Sequence, residues 1–353
     1  MNRRDVLIVG GGPTGLAAAI LAAEQGLSPV VVEPKLNVID KACGEGLMPA
    51  GVRALHRLGV RPEPARPFYG VRYIDGAHHA TAAFTEGPGL GIRRTVLHQA
   101  LLTRAQDLGV QFVHERAGEI TQDDDQVSIL VGNRSRLSGR WLLAADGLRS
   151  PIREQLGLSK PPRRTARLGM RQHVEMAPWT DMVEVHWRPG VEAYITPVAD
   201  NLVGVAMLYT RDALPPGDQP PFRRLLAKFP DLWDRVQGAP IGSQARGAGP
   251  FEQRVRRRSQ GRVLLIGDAA GYLDPITGEG LKLGFQGAAA AVACILVGKP
   301  QAWEWAWRRI TAEYWLGTGA LLALSQVPAL RSRLVPTLAK VPGLMPAALH
   351  RLG

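Results

Sequence analysis

The sequence predicts an α/β protein, α+β overall, with a parallel-sheet unit assembled from separated segments, an antiparallel β-sheet and a helical C-terminal tail. Three observations support this fold class. A β-branched strand enters a glycine-rich turn and a helix over Asp5–Gln25, and the same order of elements returns at Gly261. Between them, Arg163–Thr210 alternates as strands of an antiparallel sheet do. From Trp303 onward the pattern is helical and interrupted by prolines.

The N-terminal segment predicts a βαβ unit. Asp5–Val9 forms a short strand, Gly10–Gly15 a turn, and an Ala/Leu-rich helix runs from about Thr14 to Gln25. The stretch SPVVVEP supplies a second strand that ends at Glu33. Positive charge before an apolar run is also typical of a signal peptide. Here the run is short, breaks into glycines and lacks a small-residue cleavage site, so we interpret it as the first strand.

The remaining elements follow from the same periodicities. A helix near Gly51–Leu58 leads into a strand-rich region with a turn at Asp75-Gly76. An amphipathic helix over about Arg94–Leu108 precedes a strand and a hairpin through DDDQ, and WLLAADG is a further buried strand. The stretch GRVLLIGDAAG is a strand that enters a glycine-rich turn and a long Ala-rich helix.

Composition narrows the class of protein. The chain has 353 residues with 45% hydrophobic content, which is enough for a sizeable core. Its two cysteines, Cys43 and Cys294, exclude a disulfide framework and favour a reducing compartment. The longest uncharged apolar stretch, Leu283–Gly298, is too short for a membrane span. We therefore expect a cytoplasmic protein that can also lie peripherally on a membrane.

The net charge of +12 raises the question of an anionic partner. Nucleic acid is not expected, because no recognition motif accompanies the charge. Attraction of cofactor phosphates, anionic lipid or an acidic substrate is the simpler interpretation. The basic clusters are Arg163, Arg164 and Arg167; Arg254 and Arg256–Arg258; and the C-terminal tail.

The first motif is GGGPTG, with Gly10, Gly12 and Gly15 at G-x-G-x-x-G spacing between a strand and a helix. Glycines permit a tight turn and let backbone N–H groups approach a pyrophosphate at the helix N-terminus. Glu33, 18 residues beyond Gly15, ends the second strand, where its carboxylate can accept hydrogen bonds from ribose hydroxyls. The motif predicts dinucleotide binding, and the alternative is a structural glycine-rich turn.

Two later motifs add candidate contacts. AADGLRSPIR contains Asp146-Gly147, and RVLLIGDAAGYLDPITGEGLKLG contains Asp268 at a strand end before Pro275. An acid at a strand end can bond the ribityl chain of a flavin. The turn before the next helix can offer N–H groups to an electron-rich ring edge.

The ordered set GxGxxG, DG and GDAAxxxxPxxGxG resembles the p-hydroxybenzoate-hydroxylase-like FAD-dependent oxidoreductase superfamily, which contains aromatic hydroxylases, halogenases and geranylgeranyl reductases. The resemblance spans about Asp5 to Ala290. It implies FAD, a Rossmann-like domain assembled from separated segments, and a β-sheet substrate domain over the isoalloxazine. We assign the FAD domain to residues 1–65, 92–160 and 255–300, the substrate sheet to 66–91 and 161–254, and a helical region to 301–353.

The resemblance also implies roles for matching residues. Arg94, in a match to R-x-x-L-x-x-x-L, would contact the pyrophosphate and ribityl region, and Asp268 the ribityl hydroxyls. The predicted cofactor-binding residues are Gly10, Gly12, Pro13, Thr14, Gly15, Glu33, Pro34, Cys43, Gly44, Arg94, Ala117, Asp146, Gly147, Asp268, Pro275, Gly278, Gly280 and Leu281.

Departures from the hydroxylase pattern point to one branch. Hydroxylases carry His and Asn where this chain has Gly271 and Lys282. GDAAG followed by TGEG, and the turn at Cys43, are similar to the geranylgeranyl-reductase branch. PGVEAYITP keeps the spacing of that branch's P-x-x-Y-x-W-x-F-P motif, but Glu192 and Thr196 replace two aromatics. The chain is also similar to small FAD oxidoreductases proposed to modify polyketide-type lipids such as alkylresorcinols.

Four residues are candidate catalytic groups. Cys43 is interpreted as a polarizable neighbour of the flavin, since no second ligand at metal spacing accompanies it. Glu192 and Tyr194 share one side of a predicted strand and would act as base and orienting donor toward a phenol, unless that face is exposed. Lys282 would steady a developing negative charge, and its alternative is a solvated helix lysine.

Other candidates are weaker. His78-His79 lacks ligand spacing, so no metal site is predicted. The tryptophans of Trp303–Arg309 fit core or lipid-facing packing better than a halogenase tunnel. In the tail, apolar residues recur at helical spacing over Leu321–Leu338, so one face packs against the protein or lies on a membrane surface.

The sequence therefore supports three functional hypotheses. The first is an FAD-dependent monooxygenase that hydroxylates a hydrophobic phenolic or polyketide-type substrate through a flavin C4a-hydroperoxide. The second is an FAD-dependent alkene reductase, and the third a non-catalytic flavin-binding or membrane-surface protein. A second G-x-G-x-x-G is missing from the sequence. We therefore expect NAD(P)H to bind transiently as electron donor, or an external reductase to supply the electrons.

Overall fold

The computed structural model describes residues 4–132, 135–341, 343 and 345. The strands are β1 (Arg4–Val9), β2 (Pro29–Val32), β3 (Gly46–Leu47), β4 (Arg66–Phe68), β5 (Gly70–Asp75), β6 (His78–Ala83), β7 (Gly89–Gly91), β8 (Gln111–Val113), β9 (Ala117–Gln122), β10 (Val127–Val131), β11 (Ser135–Ala144), β12 (Ser159–Lys160), β13 (Arg167–Glu175), β14 (Val183–Arg188), β15 (Val191–Ala199), β16 (Leu202–Thr210), β17 (Arg246–Ala248), β18 (Arg254–Val255), β19 (Ser259–Gln260) and β20 (Val263–Leu265).

The helices are α1 (Pro13–Glu24), α2 (Pro49–Arg57), α3 (Arg94–Asp107), α4 (Pro151–Gln155), α5 (Pro221–Leu226), α6 (Pro230–Val236), α7 (Gly280–Leu296), α8 (Ala302–Gln326) and α9 (Pro328–Lys340). Short 3₁₀ turns lie at Arg211–Ala213, Gly267–Ala270 and Pro275–Thr277.

The first large sheet has eight strands, with a parallel core in the order β20-β11-β1-β2-β8, an antiparallel edge strand β19 beside β20, and the antiparallel strands β10 and β9 branching from β11. β1 pairs in parallel with both β11 and β2, so Leu7 lies opposite Leu142 on one side and Val30 on the other. Helix α1 packs on these strands and α3 and α7 pack against α1, and the strands are apolar on both faces, as buried parallel strands are. The parallel arrangement places the ends of β1, β2 and β20 at one edge of the sheet.

The second sheet has seven strands in the order β17-β13-β16-β15-β14-β5-β6. Its neighbours are antiparallel except β14 and β5, which run parallel. One face buries Val191, Ala193 and Ile195 against α5 and α6. Since successive side chains alternate between the faces, the residues between them point to the opposite face. That opposite face carries the polar candidate residues.

A small sheet, β3-β7-β4, joins the two larger ones. It approaches β15 closely, since a Cβ added at Gly91 would lie 1.8 Å from the Pro197 carbonyl oxygen. The segment Cys43–Glu45 enters this sheet directly and is therefore held between the parallel sheet and the seven-stranded sheet. The predicted fold class, with its parallel unit, antiparallel sheet and helical tail, is confirmed.

The C-terminal helices pack against the protein. Trp303 donates its Nε1–H to the Leu265 carbonyl at 2.8 Å, and the Arg258 guanidinium lies 3.7 Å from the centre of the Trp307 ring. On α9, Val335 is buried and Arg331 Nη1 lies 3.4 Å from Asp75 Oδ2. In the part of the chain that the structure describes, no helix is both long and apolar enough to cross a membrane.

Candidate functional site

The glycine turn after β1 is held by close backbone packing. Gly10 has a φ of +106° and donates its N–H to the Val32 carbonyl at 2.9 Å. A Cβ added at Gly15 would lie 1.9 Å from the Gly10 carbonyl oxygen. Both positions therefore require glycine for the turn itself. Pro13 and Thr14 begin α1, with Gly12 as its N-cap residue.

The other side of this turn is open. A Cβ added at Gly12 would meet a single atom within 4 Å, Arg94 Nη2 at 3.9 Å, among the described residues. Arg94 is buried, yet within the same described residues its Nη1 has no hydrogen-bond partner. A buried guanidinium with a free donor beside a helix N-terminus fits an anion such as a pyrophosphate. The residues present therefore fit the diphosphate of a dinucleotide.

Glu33 follows β2 and lies beside the turn. Its Oε2 accepts the Gly11 N–H at 2.9 Å, and its Oε1 accepts the Lys35 N–H at 3.1 Å. A cleft next to it is lined by Glu33, His98, Phe112 and His114 among others, and this is where an adenosine would lie. Two predicted contacts, Pro34 and Ala117, are not among the residues that line this cleft.

His98 also lies in the site, although it was not among the residues predicted from the motifs. Its Nε2 donates to the Gly11 carbonyl at 2.8 Å, and burial lowers the pKa of the ring, so the imidazole is neutral. His98 lies one helical turn after Arg94 on α3. Residues four apart on a helix lie on the same face, so the position of His98 four residues after Arg94 could have predicted that it faces the same site.

Two carboxylates lie at the carboxyl ends of neighbouring parallel strands. Asp268 follows β20, and burial raises the pKa of its carboxyl, opposed by the charges of Lys41, Arg94 and Arg153. Asp146 follows β11, and its Oδ2 accepts the Ile152 N–H at 3.1 Å. Its Oδ1 is buried without a partner in the described part of the chain. An acceptor left free in this way can receive a hydroxyl of a bound ribityl chain.

The predicted flavin-flanking turn begins at Asp274, whose Oδ1 accepts the Ile276 N–H at 3.1 Å. Gly278 has a φ of +72°, and its missing side chain faces open space. Leu281, in the first turn of α7, is partly buried. This backbone leaves room for a flat ring beside Pro275 and Gly278.

Cys43 lies in the turn before β3. It is half-buried, and the Glu45 N–H donates to its Sγ at 3.4 Å. Burial and the Glu45 carboxylate raise the pKa of the thiol, while the Arg94 and Arg171 guanidinium groups lower it. The net shift is upward, so the thiol keeps its proton at neutral pH.

Glu192 and Tyr194 share one face of β15, and both point into the protein. Glu192 is 3% exposed, so the exposed-face alternative is wrong. Its carboxylate accepts from Arg167 Nη2 at 2.6 Å and Nη1 at 3.3 Å, and Arg167 Nε also donates to Asp274 Oδ2 at 2.8 Å. Tyr194 donates its hydroxyl to the Ile276 carbonyl at 3.0 Å. Both side chains thus join the sheet to the flavin-flanking turn.

Lys282 is not a solvated helix lysine. Its side chain is 12% exposed and forms an ion pair with Glu279. The alternative interpretation from the sequence is therefore wrong, and the ammonium group belongs to the turn that begins α7. His78 and His79 are exposed, and the described residues contain no cluster suited to a metal ion.

Several polar residues on the same face were not predicted as site residues, and Arg167, assigned from the sequence to a basic cluster, is one of them because it is buried in ion pairs with Glu192 and Asp274. Arg167, Arg171 and His173 alternate along β13 and are all buried, with Glu45 against them. A strand with two arginines and a histidine on one face is a signal of a polar site, because such residues are rarely buried without partners.

A matched pair of glycine substitutions tests the two sides of the turn. Gly15→Ala should destabilise the apoprotein by about 1–3 kcal/mol, because its Cβ meets backbone and the turn must move. Gly12→Ala should leave the apoprotein's stability unchanged but weaken FAD binding, because its Cβ has room until a ligand fills that space. Urea unfolding and FAD titration measure the two effects. Equal FAD affinity for Gly12→Ala and the wild type would contradict the placement.

The similarity of this chain to known proteins agrees with this geometry. A family model described as an FAD binding domain matches residues 3–299. The menaquinone reductase of Mycobacterium tuberculosis is 27% identical over 303 residues, covering 80% of this chain and 74% of the relative. The para-nitrophenol 4-monooxygenase of a Pseudomonas species is 29% identical over 307 residues, covering 79% and 74%. A solved flavoprotein/dehydrogenase from Cytophaga hutchinsonii shares the fold with a TM-score of 0.87 at 18% identity, covering 99% of this chain and 92% of that one.

Proposed function

We propose that this chain, which belongs to the FAD binding domain family and is an FAD-dependent oxidoreductase, reduces a carbon–carbon double bond in a hydrophobic, lipid-like substrate. The observation that carries the proposal is the Cys43 thiol, which is half-buried, close to Arg94 and kept protonated. Saturation of an alkene adds one hydride and one proton. FAD, when bound and reduced, supplies the hydride, and Cys43 Sγ–H would supply the proton and regain it from solvent.

The seven-stranded sheet supports a hydrophobic substrate. Its polar face continues into an apolar cluster built from strand residues, the flavin-flanking turn and helices α8 and α9. Tyr73 and Tyr194 border this cluster. Its buried members include Phe68, Val71, Val183, Val185, Trp187, Leu273, Ile276, Leu322 and Val335. Apolar surroundings of this kind beside the polar face and the flavin-flanking turn favour a substrate with a long hydrocarbon chain.

The structural contacts change the preference between the two main hypotheses. A phenol hydroxylase needs a base, and both oxygens of Glu192 are occupied by Arg167. Lys282 is likewise engaged by Glu279. Reduction needs neither Glu192 nor Lys282 as a base, because in this proposal Cys43 supplies the proton. Hydroxylation of a phenol remains the second candidate, favoured by the aromatic pair of Tyr73 and Trp187, whose ring centroids lie 5.6 Å apart.

Product mass separates the two reactions. The purified flavoprotein would be reduced anaerobically with dithionite, or with NADH or NADPH, and given a geranylgeranyl-chain lipid or an alkylresorcinol. We expect a gain of two hydrogens per double bond without oxygen. Incorporation of ¹⁸O from labelled oxygen gas, with no saturated product, would overturn the proposal in favour of hydroxylation. Comparison of the reductants identifies the electron donor.

Cys43→Ser tests the proton donor. We expect FAD to stay bound and turnover to fall by about 10–100-fold, because a serine hydroxyl is a much weaker acid than a thiol. The matched control is Cys294→Ser, which changes a buried cysteine on α7 and should leave turnover unchanged. The wild-type rate should stay level through neutral pH and fall as the pH rises toward the raised pKa of Cys43, since a thiolate has no proton to give. Equal turnover of Cys43→Ser and the wild type would contradict this role.

A further inference from the structure

The backbone of Glu45 has an uncommon conformation. Its φ is +60°, and no other non-glycine residue in the described ranges has a positive φ. Glycines flank it on both sides, at Gly44 and Gly46. Glycine would take this conformation without the steric penalty that a side chain carries. A glutamate at this position indicates that its carboxylate has a role of its own.

The carboxylate contacts two distant elements. Its Oε1 accepts the backbone N–H of Arg94 at 2.7 Å and lies 3.6 Å from Arg171 Nε. Its Oε2 accepts from His173 Nε2 at 2.5 Å. The side chain is 1% exposed. Because Arg94 begins α3 and His173 lies on β13, one carboxylate fixes the turn against both the pyrophosphate site and the polar sheet face.

His173 is itself held in a defined orientation. Its Nδ1 lies 2.7 Å from the Ser243 hydroxyl, and its backbone N–H donates to the same oxygen at 3.2 Å. Arg171 Nη1 can only donate and lies 3.3 Å from Nδ1, so Nδ1 is an acceptor and Nε2 carries the N–H that faces Glu45. Arg171, beside it, forms an ion pair with Asp40. The ring is therefore held so that its Nε2–H points at the Glu45 carboxylate.

The rest of the turn is anchored around Cys43. Thr196 donates its hydroxyl to the Gly44 carbonyl at 2.8 Å, and the Ile92 N–H donates to the Glu45 carbonyl at 2.8 Å. The titratable groups that act on the thiol are Glu45, Arg94, Arg171 and Tyr272. Among these, Glu45 carries the negative charge in the same turn.

We propose that Glu45 and His173 are positioning residues that hold the Cys43–Gly44 turn between the pyrophosphate site and the polar sheet face. The Glu45 carboxylate lies in the same turn as the thiol and raises its pKa. The catalytic consequence rests on the proposed function. The effect on the thiol does not, because it can be measured with no substrate present.

The experiment uses the holoprotein in a Cys294→Ser background, so that a ¹³C label on the cysteine Cβ reports Cys43 alone by NMR. Glu45→Gln keeps the shape and removes the charge. Glu45→Gly keeps the backbone conformation and removes the side chain. His173→Leu removes the donor to Glu45. Glu175→Gln is the matched control, because Glu175 is an exposed glutamate on the same strand as His173.

We expect the Cys43 titration to move to lower pH in Glu45→Gln and Glu45→Gly, because a neighbouring negative charge has been lost. The visible spectrum of bound FAD should change in Glu45→Gly and His173→Leu, and turnover should fall about tenfold with a smaller change in KM. Glu175→Gln should match the wild type. An unchanged Cys43 titration in both Glu45 variants would overturn the proposal. If the wild type has no reductase activity, the proposed function is overturned. The Cys43 titration still tests the positioning role of Glu45, because it needs no substrate.

Discussion

Replacement of Arg94 by methionine should weaken FAD binding by about 100-fold, which corresponds to about 3 kcal/mol. The guanidinium lies against the open side of Gly12, and its Nη1 has no partner among the described residues. Methionine fills a similar volume but cannot donate to a phosphate oxygen. Titration of the apoprotein with FAD, followed by flavin fluorescence, measures the change.

Arg104→Met is the matched control for that experiment. Arg104 lies on the same helix, but its Nη2 donates to Glu24 Oε1 at 2.8 Å, away from the glycine turn. Loss of this partly exposed ion pair should cost at most about 1 kcal/mol of stability and leave FAD affinity unchanged. Equal losses of FAD affinity in the two variants would show that the effect comes from α3 as a whole and not from the pyrophosphate contact.

Arg167→Met should lower the free energy of unfolding by about 3–5 kcal/mol. The Arg167 side chain is 6% exposed and is shared by Glu192 and Asp274, whose side chains are 4% and 2% exposed. Without the guanidinium, the two buried carboxyl groups lose their direct ion-pair partner. Their pKa values, already raised by burial, should rise further. The folded variant then binds protons more readily than the unfolded chain, so its stability should increase as the pH falls.

The comparison for Arg167 is Arg66→Met. Arg66 Nη1 lies 2.5 Å from Asp200 Oδ1, but the Asp200 side chain is 96% exposed, so this pair should contribute less than about 1 kcal/mol. Urea unfolding of both variants at two pH values gives the comparison. A loss of stability for Arg167→Met no larger than that for Arg66→Met would contradict the assigned importance of the buried ion pairs.

The cofactor side of the molecule could be predicted from the sequence because its signals are local. The glycine spacing, the acid after β2 and the turn before α7 each lie within one short segment, and the backbone there is constrained by close packing at Gly10 and Gly15. Where the backbone can accommodate only glycine, the glycine itself is visible in the sequence. The fold class followed from the same local patterns.

The polar face could be predicted only in part. Spacing placed Glu192 and Tyr194 on one side of a strand, but nothing local identifies Arg167 and Asp274 as partners of Glu192, because Asp274 lies 107 residues from Arg167. Glu45 and His173 are 128 residues apart, and each alone is an ordinary polar residue. Partners brought together by tertiary structure carry no short-range signal in the sequence.

The parallel pairing of β5 with β14 has a consequence for how this chain is made. Val71 lies opposite Val183, while in the other sheet Leu143 lies opposite Leu264. Early strands such as β5 and β11 therefore lack their partners β14 and β20 until those later strands have been synthesised, so edges of both sheets stay unpaired until then. Fragments cut between β6 and β14 contain neither sheet complete. The two sheets should thus fold as one interdependent unit, and either half expressed alone should aggregate.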